Sequence, residues 1–188
     1  MDSNVDVNIE ARKQLTQLYP YLIPRKCRTG EIHKDYDYSY VVGEHDLPQG
    51  WFKLFLQCCE DILEPLEKNG CLNKFRFLQV KEKYGSMRLY SNGAPEEVLQ
   101  ILDKYELLSG QVCCICGKPA ALETDGYICP YCNDCIIRSG ENPDSAVSIK
   151  IKTSYTHTIY HDGNETRTEV SMEDEWNRYL ERLNSNEV

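Results

Sequence analysis

Two closely spaced pairs of cysteines constrain this chain more than any other feature. The pairs are Cys113-x-x-Cys116 and Cys132-x-x-Cys135, and fifteen residues, 117–131, separate them. Zn²⁺ favours four thiolates at the corners of a tetrahedron, and two residues between cysteines let one tight turn direct both sulfurs at a single ion. Four protein ligands leave no open position for water or substrate. The sequence therefore predicts one structural Zn²⁺ site.

Two other cysteines compete with this assignment. Cys114 and Cys129 lie close enough in sequence to the predicted ligands that either could replace one of them. Cys129-x-x-Cys132 is a rival pair, and it would leave Cys135 unused. The spacing favours the first set of four and leaves the rival open.

The start of the chain bears on the compartment. Residues 1–12 are polar and lack the basic start and apolar run of a signal peptide. No apolar stretch approaches the roughly 20 residues of a membrane span. We therefore expect a cytoplasmic protein that does not bind membranes, whose ten cysteines stay reduced rather than forming a disulfide framework.

Charge is unevenly distributed along the chain. The net charge is −9, which disfavours binding to the phosphate backbone of duplex DNA. Residues 141–188 hold ten acids and five bases, whereas residues 74–90 hold five bases and one acid. A basic element on an acidic protein indicates an anion site.

The basic element coincides with a predicted β-hairpin. Alternation places Lys81 and Lys83 on one face, and Arg88 returns on the partner strand. With Tyr84 at the turn, these cations form a predicted binding site for a phosphate or a carboxylate. Two plainer alternatives remain open: the charges are only solvated, or they pair with the acidic residues 173–175.

Apolar periodicity predicts an α+β fold. It consists of helices packed on a small antiparallel sheet, a zinc-ribbon-like four-cysteine module, and a C-terminal β-hairpin plus helix. The predicted domains are an α+β body at 1–110, the zinc module at 111–140, and the acidic hairpin with its helix at 141–188. The predicted helices of the body are 8–19, 50–68 and 95–108, and its hairpin strands are 75–80 and 87–90.

Two further segments are predicted to be extended. Tyr36, Tyr38 and Tyr40 alternate, which predicts a short strand that is either half-buried or an aromatic wall for a base or a protein partner.

A second strand pattern runs from 147 to 160 and meets an Asp-Gly turn at 161–164. His157 and His161 are then expected on the surface near that turn. Ser171-x-x-Asp174 is a capping box before a terminal helix.

Several of these pieces occur in one order. Gly50-Trp51 precedes an amphipathic helix, Gln79-Val-Lys-Glu-Lys-Tyr-Gly-Ser-Met-Arg-Leu-Tyr90 follows, and then come Cys113-x-x-Cys116-Gly-Lys-Pro119 and Cys132-x-x-Cys135. This order resembles a family of small uncharacterised proteins of bacteriophages and prophages, with the pattern Gln-Ile-Lys-Glu-Lys-Phe-Gly-x-Leu-Arg-Phe-Tyr before a four-cysteine module. The resemblance covers about residues 48–136. This chain departs from the pattern with Tyr84 for Phe and Tyr127 for Trp, among other positions.

The resemblance implies a phage setting and a zinc knuckle, and it implies no activity. With no catalytic motif in the sequence, we expect a non-enzymatic accessory protein in the host cytoplasm. Its partner would be a host protein that it blocks, or an anionic, nucleotide-like small molecule that it sequesters, as in counter-defence. A nucleic-acid-binding regulator and a hydrolase or nuclease with an unrecognised site are the alternatives. Enzyme activity is left open, and a homo-oligomer is compatible with the sequence.

Overall fold

The computed structural model describes residues 3–161 and 164–185. It is an α+β protein with small antiparallel sheets, as the sequence predicts. The helices are α1 (Ser3–Leu18), α2 (Gln49–Lys68), α3 (Glu96–Ser109), α4 (Asn133–Ser139) and α5 (Glu173–Ser185). The strands are β1 (Arg76–Lys83), β2 (Ser86–Asn92), β3 (Leu122–Glu123), β4 (Pro130–Tyr131), β5 (Val147–Ser148), β6 (Ser154–His161) and β7 (Asn164–Ser171).

Helix α2 is the centre of the core. Its apolar residues recur at helical spacing, so one continuous stripe is buried, including Trp51, Phe55 and Ile62 at 0% exposure. Cys58 and Cys59 lie in the same stripe as free thiols, and complete burial raises the pKa of both. The core that forms around α2 includes residues from all three predicted domains. The three-part division stays a prediction.

The hairpin of β1 and β2 packs beside this helix with its apolar face inward. Val80 lies opposite Leu89, and both are buried. On the outer edge of β2, the backbone N–H of Met87 donates to Oγ of Ser109 at 2.7 Å, and that of Leu89 donates to Oε1 of Glu106 at 2.5 Å. Two side chains of α3 thus take the place of a third strand.

The C-terminal segment closes over α2 and α3. Strands β6 and β7 pair antiparallel over their length. Ser171, predicted to open a capping box, lies two residues before α5, and its Oγ accepts from the backbone N–H of Glu173 at 3.3 Å. Asp61 of α2 then accepts from Tyr105 at 2.7 Å and pairs with Arg178 at 3.0 Å. Charged side chains therefore fasten this segment to the helices.

Three local predictions were wrong. Tyr36, Tyr38 and Tyr40 form no strand, because Tyr38 has a φ of +63° and the three rings gather in one loop cluster. The strand predicted from 147 to 160 is broken into β5 and β6.

The third error concerns His157, which is 5% exposed rather than on the surface. The side chain of His161 and the centre of the predicted turn at 161–164 lie outside the described residues.

His157 is buried because α3 supplies a carboxylate to each of its ring nitrogens. Nδ1 lies 2.9 Å from Oδ2 of Asp103, and Nε2 lies 2.5 Å from Oε1 of Glu96. Burial opposes the charged ring, but these two hydrogen bonds raise the pKa of His157 above its ordinary value. An imidazolium in this place links β6 to α3.

Candidate metal centre and the basic hairpin

Four sulfurs converge where the two cysteine pairs meet. The Sγ atoms of Cys113, Cys116, Cys132 and Cys135 all lie within 4.8 Å of one another. The distance between Cys116 and Cys132 is 3.7 Å. Thiolates bound tetrahedrally at about 2.3 Å from one ion are about 3.8 Å apart, so this spacing fits a single metal. Within the described part of the chain, no other group of three or more His, Cys, Asp or Glu side chains is placed to hold an ion.

Local backbone structure directs these sulfurs. The first pair sits in a turn in which the N–H of Gly117 donates to the carbonyl of Cys113 at 2.9 Å. Gly117 has a φ of +74°, a conformation that glycine adopts without strain. The second pair spans the start of α4, where the N–H of Cys135 donates to the carbonyl of Cys132 at 3.1 Å. A turn and a helix start thus present two sulfurs each.

Burial and charge differ around the four ligands. Cys113 and Cys135 are buried within the main core, whereas Cys116 is exposed. Four thiolates and one dication leave an excess of negative charge. Nη2 of Arg138 lies 3.0 Å from Sγ of Cys135 and offsets part of it. The arrangement can bind a metal and offers it no open coordination position.

The two competing cysteines lie together and outside this group. Sγ of Cys129 is 2.6 Å from Sγ of Cys114, and both thiols are buried. The structure therefore places Cys129 beside Cys114 rather than in a pair with Cys132.

The start of α2 is built against the turn that carries the first cysteine pair. The N–H of Gly50 donates to the carbonyl of Cys114 at 2.9 Å, and Nε1 of Trp51 donates to the carbonyl of Val112 at 2.8 Å. A Cβ on Gly50 would lie 2.2 Å from the carbonyl oxygen of Cys113. The hydroxyl of Tyr179 in α5 also donates to the carbonyl of Gly117.

Sequence reasoning missed these supporting roles. Gly50-Trp51 was visible only as part of a family pattern, and the contacts with the cysteine turn join residues about sixty positions apart. Tyr179 had no signal beyond its place on the apolar stripe of a helix.

The structure divides the predicted anion site. Lys81 lies directly opposite Arg88, and its Nζ stands 5.4 Å from the ring centre of Tyr90. Lys83 stands 5.3 Å over the ring of Tyr84.

Arg88 is already partnered. It donates to Oγ of Ser86 at 2.6 Å and lies 3.7 Å from Oε2 of Glu106. The acidic residues 173–175 are not its partners in the described structure, since Glu175 pairs with Lys104 instead.

Tyr84 and Arg88 border a cleft, whereas Lys81 and Lys83 do not. The other borders of the cleft are the C-terminal end of α3 and the segment 148–156. Two lysines of that segment, Lys150 and Lys152, also border the cleft, and the anion site at Lys81, Lys83, Tyr84 and Arg88 stays a prediction. Lys150 and Lys152, two positions apart in an otherwise acidic region, could have been recognised in the sequence as a second basic element.

Comparisons with protein-family models, with curated proteins and with solved structures found no match. No helix among the described residues combines the length and apolar composition needed to cross a membrane.

Proposed function

We propose that the protein is a non-enzymatic binding protein whose fold is closed by one structural Zn²⁺. The convergence of the four sulfurs carries this proposal. Four thiolates suit Zn²⁺ and complete its coordination, which supports a structural ion over a catalytic one. The short strands β3 and β4, between the two cysteine pairs, support a zinc-ribbon-like module.

The metal is tested by elemental analysis of protein purified under reducing conditions. We expect one zinc per chain, and we expect Cys116→Ser to release zinc to a chromophoric chelator at a lower chelator concentration. Cys27→Ser is the matched control, because Cys27 is exposed and far from the four ligands in sequence. Equal zinc retention by both variants, or protein purified without any bound metal, would reject the structural zinc.

The setting that we propose comes from the resemblance to phage proteins. The protein would act in the cytoplasm of an infected host, in counter-defence, by blocking a host protein or by sequestering an anionic nucleotide-like signal. Native mass spectrometry of the protein from infected cells tests this. A stoichiometric host protein or a small anionic adduct is the expected result, and bare protein in repeated preparations would count against it.

Nucleic-acid binding through the zinc module is the weaker candidate. Residues 111–140 carry two bases and three acids, so the module lacks the row of basic side chains that is typical of nucleic-acid-binding domains. We expect no sub-micromolar affinity for random duplex DNA at physiological salt. Tight binding with a steep dependence on salt would reverse this order of candidates.

A further inference from the structure

A cleft of about 700 Å³ lies between the β1–β2 turn, the end of α3 and the segment 148–156. This volume is within the range of small-molecule sites, roughly 300–1,000 Å³. All of its bordering residues lie within the described part of the chain, and they include charged, amide and aromatic side chains. The cleft is thus large enough and polar enough to hold an organic ligand.

Three of the six charged side chains on the cleft are already compensated. Arg88 lies 3.7 Å from Glu106, and Asp103 is hydrogen-bonded to His157. Lys150, Lys152 and Glu123 also border the cleft, and none of the three has an ion-pair partner within the described part of the chain, so together they contribute one net positive charge. Both lysines belong to the short connection between β5 and β6. Unpaired cations in a cleft favour an anionic group on the ligand.

Gln111 forms part of the wall beside these lysines. It is 3% exposed, and its Oε1 accepts from the backbone N–H of Lys152 at 2.7 Å. Its Nε2 has no hydrogen-bond partner in the described structure. Leaving a buried donor without an acceptor is unfavourable. A ligand acceptor that reaches this amide would remove that cost.

Tyr84 holds a backbone conformation that tyrosine rarely adopts. Its φ is +53° and that of Gly85 is +74°, so the hairpin turn requires two positive φ angles. Asn-Gly is the sequence that such turns prefer. Tyr84 is nevertheless 73% exposed, and it borders the cleft. A strained residue with an exposed ring is better explained by recognition than by packing.

A second aromatic ring borders the same space. Tyr155 of β6 is fixed by a hydrogen bond from its hydroxyl to the carbonyl of Gln100 at 3.1 Å. Burial raises the pKa of Tyr155 to about 12, so the hydroxyl stays a neutral donor. The cleft therefore combines a fixed ring on one side with an exposed ring on the other.

We propose that this cleft binds a small phosphorylated molecule that carries a flat ring, such as a nucleoside monophosphate. Lys150 and Lys152 neutralise the phosphate, Tyr84 and Tyr155 contact the ring, and Nε2 of Gln111 donates to an acceptor on the ligand. The proposal rests on the proposed role as a binding protein and gives that role a site and a ligand class. It does not depend on the identity of the metal.

The test is calorimetric titration of the zinc-loaded protein with the common nucleoside 5′-monophosphates, their nucleosides and inorganic phosphate. We expect at least one monophosphate to bind more tightly than both its nucleoside and inorganic phosphate. Lys152→Met should weaken that binding about tenfold or more, because a hydrogen bond to a charged group contributes roughly 1.5–3 kcal/mol. Lys68→Met is the matched control, since Lys68 is exposed at the end of α2.

Tyr84→Asn separates recognition from folding. Asparagine suits the turn, so the variant should be as stable as the parent or more stable. It should bind the monophosphate about tenfold more weakly, because stacking on an aromatic ring contributes roughly 1–3 kcal/mol. Unchanged affinity in this variant would overturn the assignment of the ring.

Two further results would overturn the site. One is the absence of any monophosphate binding tighter than about 1 mM. The other is an equal loss in the Lys152 and Lys68 variants, which would show non-specific attraction. Zinc content is measured on the same sample. Zinc-loaded protein without binding rejects the cleft alone, whereas metal-free protein rejects the structural zinc independently of the titration.

Discussion

Residues 111–140 meet the start of α2 through hydrogen bonds to main-chain carbonyls around four sulfurs, whereas residues 147–185 add charged side chains to their apolar contacts with α2 and α3. In the first region Gly50 and Trp51 bond to main-chain carbonyls. In the second, His157 bonds to two carboxylates of α3, and Asp61 receives Arg178. The first attachment should be sensitive to loss of the metal and to added side-chain volume at Gly50. The second should be sensitive to pH and ionic strength. The two should therefore fail under different conditions.

Metal removal should have the largest effect. A structural zinc contributes on the order of 10 kcal/mol to the folding of small zinc modules. Because Cys113 and Cys135 lie in the main core, its loss should lower the melting temperature of the whole chain. Thermal unfolding with and without a chelator measures this. An unchanged melting temperature would mean that the turns that carry the cysteines stay folded without a metal ion.

Gly50→Ala should come next, at about 3 kcal/mol of lost stability. The new Cβ would lie 2.2 Å from the carbonyl oxygen of Cys113 and 2.7 Å from the backbone nitrogen of Gly117, and backbone atoms cannot turn aside as the end of a flexible side chain can. Urea unfolding measures the loss, and Lys53→Ala is the control on the exposed face of the same helix. Zinc should also dissociate more readily from the Gly50 variant. Equal stability of both variants would show that the helix start and the cysteine turn are not in close contact in solution.

His157→Gln should act through pH. The pKa of His157 is raised in the folded protein, so its stabilisation is fully present below the ordinary imidazole value of about 6.5 and is lost as pH rises through the raised value. Burial also raises the pKa of Asp103, so the pair is strongest between the two pKa values. We expect a loss of about 2 kcal/mol near pH 6.

The measurement is urea unfolding at pH 6 and pH 9. The parent should lose stability between these values, and the His157 variant should lose much less. His33→Gln is the control, because His33 lies exposed in a loop. If stability changed with pH in the same way in the parent and the variant, charged His157 would not link β6 to α3.

Tyr179→Phe should have the smallest effect, about 1 kcal/mol. This hydroxyl joins the two regions, since it lies on α5 and donates to the carbonyl of Gly117. Hydrogen exchange should show faster opening of the turn after Cys116 with little change in β6 and β7. Faster exchange only in β6 and β7 would show that the hydroxyl of Tyr179 does not stabilise the turn after Cys116.

Local patterns predicted the elements better than the contacts between them. The stripe on α2 and the turn residues between β1 and β2 are set by neighbours in sequence, so their spacing sufficed. The cysteine set was predictable for the same reason, because ligand chemistry imposes its spacing.

The misses share a different cause. The burial of His157 depends on carboxylates more than fifty residues away, and between β5 and β6 the backbone N–H of Lys152 donates to the side chain of Gln111, 41 residues away in sequence. Tyr38 departs from its strand pattern because its ring packs against Tyr36 with a positive φ. Neither long-range contacts nor a single positive φ angle produces a periodic pattern that can be recognised in one sequence.

The edge of β2 has a consequence for the behaviour of many copies together. Ser109 and Glu106 occupy the two backbone donors, Met87 and Leu89, that an incoming strand would need. An unprotected strand edge is a template for aggregation, and a single helix here removes it. Strand β7, which is exposed along almost its whole length, carries alternating charges instead of such a cover. Ser109→Ala with Glu106→Ala would therefore free a strand edge, and crowded or newly made chains would then associate edge to edge.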